Sequence, residues 1–339
     1  MQPTDFSKSL TDFLTGYLPA ERGTSKNTIA SYRDTFILFL AFLKERKGIP
    51  AEKLTLYQIT KEIVVEFLGW LESERHCCAA TRNVRLAALH SFFKYLQYQK
   101  PQHMAEWHRI LSIPFKRTEK PTMNYLPVEG MRMLLEGPDQ STRNGRRDLA
   151  LLSLMYDSGA RVQEIIDLTP SMVRLDPPCT VKLIGKGNKA RIVPLLEEQV
   201  KFLRNYMIER KLLEPYANSY PLFSNSRKEK LTRAGVNYIL SKYANEARVK
   251  EPSLIPAKLS CHCIRHSKAM HLLQSGVNLV YIRDILGHSS VQVTEIYART
   301  DSRQKREAIE RAYSDVSPQE APRWLTSDNL LSWLKSFGQ

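Results

Sequence analysis

The sequence is short of the features that would place it outside a cell or in a membrane. Its five cysteines (Cys77, Cys78, Cys179, Cys261, Cys263) are odd in number and scattered. No disulfide framework is indicated, and reduced thiols in the cytoplasm are expected. The N-terminal MQPTDFSKSLTDFL has no basic-then-apolar leader pattern. No apolar run approaches the roughly 20 residues of a membrane span. There is no internal repeat, no low-complexity tract, and no GxxxxGK[ST] loop to cradle a nucleoside triphosphate.

Acidic residues are also in deficit: 35 Asp+Glu against 50 Lys+Arg leave a net charge of +15 and a pI near 9.6. A polyanion is therefore the first partner to consider, most simply nucleic acid, although a solvated basic surface alone would have the same composition. At 339 residues there is length for two domains with ample core. The positive excess is spread over both halves and the segment between them, as a two-part clamp around a duplex would require.

The first hundred residues read as helices. SKNTIASYRDTFILFLAFLKERKG puts Ile29, Tyr32, Phe36, Phe39, Leu40 and Leu43 on one face, after Ser25 and Asn27 as candidate caps. TKEIVVEFLGWLESER repeats the pattern with Ile63, Phe67, Trp70 and Leu71, and ATRNVRLAALHSFFKYLQYQ with Leu89, Phe92, Phe93 and Leu96. These stripes are core faces. Arg82, Asn83 and Arg85, on the polar side at the start of the third helix, suit phosphate and base-edge contacts. IPFKRTEKPTMN, with two prolines and no apolar periodicity, reads as a linker.

LPVEGMRMLLEG and RRDLALLSLMYDSG again read as helices. TVKLIGKGNKARIVPL then changes period: Val181 and Leu183, and Ile192 with Val193, flank a Gly-Lys-Gly-Asn turn, the mark of a β-hairpin. Helices resume to the end. The fold class is mainly α with a small β-sheet.

The densest stretch of chemistry is SCHCIRHSKAMHLL, Ser260–Leu273. His262 and His266 share a helix face at i, i+4, as in the HExxH zinc motif. The glutamate of that motif is absent, and Arg265 on the same face would repel a dication. Cys261 and Cys263 point to different sides of a helix. A metal is not expected; the two cysteines and His266 are expected to be structural. His262 and Arg265 at i, i+3 pair a titratable donor with a bidentate cation, a combination that grips a phosphate oxygen. Taken alone, the pair reads equally as a helix-start histidine and a surface arginine. Arg161 follows a small-residue break in YDSGARVQEI, and Lys186 sits between glycines at the hairpin tip. His288 lies in the ILGHSS turn, with Tyr297 nine residues on.

Together, Arg161 in SGARVQEI, Lys186 in GKGNKARIVPL, His262 and Arg265 in HCIRH, His288 in LGHSS and Tyr297 in TEIYAR resemble the ordered motifs of the tyrosine recombinase (phage integrase) family. They look most like its Xer-type and mobile-element members. The resemblance covers Leu126 to Tyr313 and extends more loosely to the N-terminal helices, which are similar to the family's core-binding domain. Ala160 and Cys263 depart from the common pattern, and neither removes a functional group.

The resemblance implies a helical core-binding domain over 1–105, a linker over 106–124, a catalytic domain over 125–315 and a C-terminal tail over 316–339. The two domains would form a C-shaped clamp on double-stranded DNA. It implies Tyr297 as nucleophile, Arg161 and Arg265 as phosphate clamp, Lys186 as general acid, His262 as general acid/base for the tyrosine proton, and His288 as a hydrogen-bonding group on the phosphate. It implies no cofactor and no metal. A homotetramer with a dimer on each site is expected, with a related recombinase or accessory factor as a further partner. In WLTSDNLLSWLKSFGQ, the stripe of Leu330, Leu331, Leu334 and Phe337 would dock on a neighbouring protomer. The alternative activity is DNA relaxation of the type IB topoisomerase kind.

Overall fold

The three stripes read in the first hundred residues become helices α2 (Lys26–Lys47), α3 (Lys61–Ser73) and α4 (Ala79–Gln99), preceded by a short α1 (Asp5–Asp12). Ser25 caps α2 by accepting a hydrogen bond from the Thr28 N–H, and Gly48 ends it in the left-handed conformation. Thr60 caps α3 in the same way. The computed structural model describes residues 2–118, 123–300 and Lys335, in two units, 1–121 and 122–339.

The first unit is built on aromatic rings. Phe92 of α4 meets Phe13 at 5.3 Å and Phe36 at 5.1 Å, both edge-on, the arrangement that sets a ring's positive edge on its neighbour's negative face. A fifth helix, α5 (Met104–Leu111), joins this core. Trp107, Ile110 and Ile113 are buried in it, and the Trp107 indole N–H donates to the Lys100 carbonyl at 3.2 Å. The packed unit thus runs past 105, into the first part of the expected linker, because the indole and the two isoleucines have no other place to leave water.

The second unit opens with α6 (Val128–Glu136) and α7 (Arg143–Ser158). Most residues of α7 are buried, including the charged Arg147 and Asp148, which pair with each other at 2.8 Å. After the short α8 (Val162–Ile166), an antiparallel sheet forms in the order β1 (Val173–Arg174), β2 (Thr180–Ile184), β3 (Ala190–Pro194). Val181 pairs with Val193 and Leu183 with Arg191. Burial alternates along β2, with Val181 and Leu183 inward and Lys182 and Ile184 outward. The β2–β3 hairpin turns at Lys186–Asn188, where Gly187 and Asn188 take positive φ (+73° and +58°), a conformation open to these residue types. Strand β1 was not foreseen; two residues carry no period.

Helices α9 (Glu197–Glu209), α10 (Arg233–Lys250), α11 (Cys261–Gln274), α12 (Leu279–Leu286) and α13 (Val291–Thr300) complete the described fold. It is mostly helical with one small sheet, as the sequence indicated. The tail stripe at Leu330–Phe337 lies outside the described residues. No helix among them is long and apolar enough to cross a membrane.

Candidate active site

Five of the six expected catalytic residues come from four separate places and converge in the second unit. Arg161 immediately precedes α8, His262 and Arg265 stand on the first turns of α11, His288 follows α12, and Tyr297 is on α13. Lys186, the sixth, is at the β2–β3 hairpin tip. Arg191 of β3 binds the hairpin to the rest. Its Nε donates to the Ile285 carbonyl at 2.8 Å, and its Nη atoms donate to both carboxylate oxygens of Glu164 at 2.9 and 2.7 Å.

Glu164 also accepts from the Arg161 backbone N–H at 2.8 Å and from Arg161 Nη1 at 3.0 Å. The carboxylate is buried, which pushes its pKa up, but Arg191 and Arg161 outweigh the burial and hold it below the ordinary value. It therefore fixes Arg161 as an ionised partner. The outer part of the Arg161 side chain stays open, at 38% exposure, and can meet an incoming anion.

Arg265 is buried more deeply. Its Nη1 donates to the Gly159 carbonyl at 2.8 Å and its Nη2 to the Leu286 carbonyl at 2.7 Å. Both acceptors stand at helix C-termini, where carbonyls lack an intrahelical partner and the helix dipole favours a cation. Burial, then Arg161, lowers its pKa to about 10, so it remains charged at neutral pH. The Arg265 Nε has no hydrogen-bond partner among the described residues.

Around the arginines stand three histidines and the tyrosine. Tyr297 is buried, at 2% exposure, and its hydroxyl lies 3.0 Å from His266 Nδ1. The His288 ring is nearly parallel to the Tyr297 ring (7°) at 6.3 Å, and its Nδ1 lies 2.9 Å from Thr294 Oγ1. The His262 ring meets that of His266 at 4.3 Å, and His262 itself is exposed. Burial, reinforced by nearby cations, lowers all three histidine pKa values, to about 4 for His266 and His288. All three are neutral at pH 7. Burial raises the Tyr297 pKa against the opposing pull of Arg265 and Arg161, which leaves the phenol protonated.

His266, expected to be structural, touches the hydroxyl of the candidate nucleophile. Its spacing from His262 was legible, but its partner is 31 residues away. Glu164 and Arg191 complete the surroundings. Cys261 is a packing residue, its thiol donating to Asn237 Oδ1 at 3.0 Å and pushed by burial to about 11. No group of three or more metal-ligating side chains occurs among the described residues.

The three residues expected to face DNA from α4 are engaged within the first unit. Arg82 is buried, and its Nη1 donates to the Pro114 carbonyl at 3.0 Å. Asn83 pairs with the backbone of Lys116 in both directions, at 2.8 and 3.0 Å. Arg85 Nη1 ties α4 to α2 through the Ser31 carbonyl and Thr35 Oγ1. Arg82 is a tie between α4 and the segment after α5; Asn83 and Arg85 are half-buried.

Comparison with known proteins gives the same class. Residues 124–304 match the model of the phage integrase family, and residues 11–100 match its N-terminal SAM-like domain. A putative integrase/recombinase y4rC of Sinorhizobium fredii is 36% identical over 331 residues, 97% of each chain. Tyrosine recombinase XerD of Pseudomonas putida is 31% identical, covering 82% of this chain and 88% of the relative. Among solved structures, a XerH site-specific recombinase in a pre-cleavage complex with its difH substrate is similar at a TM-score of 0.65 and 26% identity. That match covers 87% of this chain and 83% of the other. The chain belongs to the phage integrase family. Within it, the chain is a tyrosine site-specific recombinase.

Proposed function

We propose that this recombinase cleaves and rejoins double-stranded DNA at specific sites through a 3′-phosphotyrosyl bond on Tyr297. The observation that carries the reading is the placement of the Tyr297 hydroxyl in the field of two arginines, Arg161 and Arg265, brought in from separate elements. A phosphodiester seated there would have its non-bridging oxygens held by the two guanidinium groups as charge grows in the transition state. Preorganised donors of this type contribute roughly 3–4 kcal/mol each in other enzymes. Lys186 would protonate the departing 5′-oxygen. Exposed His262 and half-buried His288 would hydrogen-bond the phosphate, and Glu164 would keep Arg161 oriented. The energy of the broken phosphodiester is retained in the tyrosyl ester, so the reaction needs no nucleotide cofactor.

The reaction would run in a homotetramer on two sites, a dimer on each, with the tail docking between protomers. The two units would close on the duplex as a clamp, with Asn83 and Arg85 available to the first unit's side of it. Integration, excision, transposition or resolution of DNA would be the outcome of such a reaction, and a cytoplasmic, nucleoid-associated location follows from that role. A type IB topoisomerase-like activity is the competing reading.

The test is a nicked duplex carrying the protein's own site, incubated with the chain and run on a denaturing gel. A covalent adduct that disappears in Tyr297→Phe, with DNA binding retained, is the expected result. An adduct that survives Tyr297→Phe overturns the assignment of the nucleophile. Relaxation of any plasmid without recombinant products would favour the topoisomerase reading.

A further inference from the structure

We propose that His266 is the proton acceptor for Tyr297, and that His262 serves the phosphate. This rests on the recombinase reading above and names the residue that activates its nucleophile.

Attack by tyrosine on phosphorus requires the phenolic proton to leave, and the receiving group must already touch the hydroxyl. His266 Nδ1 is 3.0 Å from that oxygen. Among the described residues no hydrogen bond joins His262 to Tyr297; His262 is exposed on the turn before, stacked edge-on against His266 at 4.3 Å. One histidine therefore faces inward to the nucleophile and the other outward, where a DNA phosphate would arrive. The sequence reading assigned the tyrosine proton to His262; the contact that points to His266 instead depends on a partner 31 residues away.

The charged and titratable groups facing His266 are His262 and Arg265 from α11 and Tyr297 from α13. Burial and these neighbours keep the imidazole neutral, so a lone pair is available at neutral pH. With the proton on Nε2, Nδ1 accepts from the tyrosine hydroxyl. Arrival of a phosphodiester places a negative charge beside the arginines, and the imidazolium that forms is then less opposed than in the DNA-free chain.

In the step itself, the Tyr297 Oη–H bond breaks and its proton moves to His266 Nδ1. The Oη–P bond forms and the P–O5′ bond breaks, with the 5′-oxygen protonated by Lys186. In the rejoining step the 5′-hydroxyl returns its proton to Lys186 as the P–O5′ bond forms, the Oη–P bond breaks, and the tyrosine oxygen recovers the proton from His266.

The experiment uses the full chain and a duplex selected from a random library by affinity for Tyr297→Phe, with the cut phosphate first mapped by the wild-type adduct. Two versions are then compared, one with the ordinary 5′-bridging oxygen and one with 5′-bridging sulfur, a leaving group that needs no proton. His266→Asn keeps an acceptor near the Nδ1 position but cannot take up the proton. It should bind the duplex like wild type and form adduct about 100-fold more slowly or worse on both versions. Lys186→Ala should be slow on the oxygen version alone.

The wild-type rate should fall on acidification as His266 becomes protonated, and this limb should be lost in His266→Asn. Unchanged DNA affinity and melting temperature would separate the effect from misfolding. If the variant melts early, the wild-type acid limb and the Nε2–H tautomer, read by ¹⁵N NMR of labelled histidines, decide the matter. Adduct formation by His266→Asn within 3-fold of wild type, or its rescue by the sulfur version, overturns this assignment alone. So does a wild-type Nδ1–H tautomer. Absence of any wild-type adduct overturns the recombinase chemistry and this assignment with it.

Discussion

Arg191 holds Glu164 by both carboxylate oxygens, at 2.9 and 2.7 Å, and through it the β2–β3 hairpin is joined to Arg161. The pair is almost fully buried, with side-chain exposures of 11% and 4%. Removing one charge from such a pair leaves the other uncompensated in a poorly solvated place, at a cost of about 3–5 kcal/mol. Glu164→Gln should therefore lower stability by about 3 kcal/mol in denaturant melts and slow adduct formation, since Arg161 loses its anchor. An unchanged melting midpoint would show that the carboxylate is not the hub its contacts indicate.

Two glycines frame the site for reasons of space as well as backbone. Gly287 has φ +64°, and a Cβ there would lie 2.9 Å from the Cδ and Nη1 of Arg191; Gly159 has φ +57°, and its Cβ would lie 2.8 Å from Leu286 Cδ2. Gly287→Ala should cost about 1–3 kcal/mol from the strained backbone alone and also displace Arg191. Gly16→Ala, where a Cβ meets nothing within 4 Å, is the control and should change stability by less than about 0.5 kcal/mol. Equal melting temperatures for the two variants would contradict the close packing of Arg191 on Gly287.

What the sequence made legible was periodic or local. The stripe through Phe36, Phe39 and Leu43 needed a helix to be buried, and Ser25 marked where it starts. The alternation at Val181 and Leu183 marked a strand. Arg161, Lys186, His262, Arg265, His288 and Tyr297 were picked out through order and local context, and five of them lie near one another in the fold, with Lys186 on the adjoining hairpin. What could not be read depends on partners distant in the chain. Arg82 looks like a surface cation until Pro114 turns back to accept its hydrogen bond. Trp107 looks like part of a linker until the core beneath it is known. The His266–Tyr297 contact and the inward turn of Arg265 onto two helix ends arise only when α11, α12 and α13 pack together.

The net charge of +15 gives a prediction about binding. Each phosphate contact releases condensed counterions, so the logarithm of the binding constant should fall linearly with the logarithm of salt, with a slope near −0.9 per contact on B-form DNA. A slope of about −5 or steeper is expected from fluorescence anisotropy between roughly 50 and 300 mM salt. Tyr297→Phe should leave it unchanged, because the phenol carries no charge. A flat dependence would contradict a phosphate-gripping surface.

The neutral histidines give the last prediction, for stability against pH. His266 and His288 have pKa values near 4 in the folded chain against an ordinary 6.5, and His262 is shifted the same way. Burial is the first cause for each. Arg265 then opposes charging of His288 and His262, joined by Arg161 for both and by Arg191 and His262 for His288; His262 and Arg265 oppose charging of His266. Between about 6.5 and 4 the unfolded chain holds these protons and the folded chain does not. The slope of unfolding free energy with pH is then positive, so stability falls on acidification through this window. Denaturant melts of the DNA-free chain should show an uptake of up to about two protons on unfolding near pH 5 from these two groups. His288→Asn should reduce that uptake by close to one. Equal acid sensitivity in the variant and the wild type would mean that His288 is charged in the folded protein, and the neutral cluster around Tyr297 would have to be abandoned.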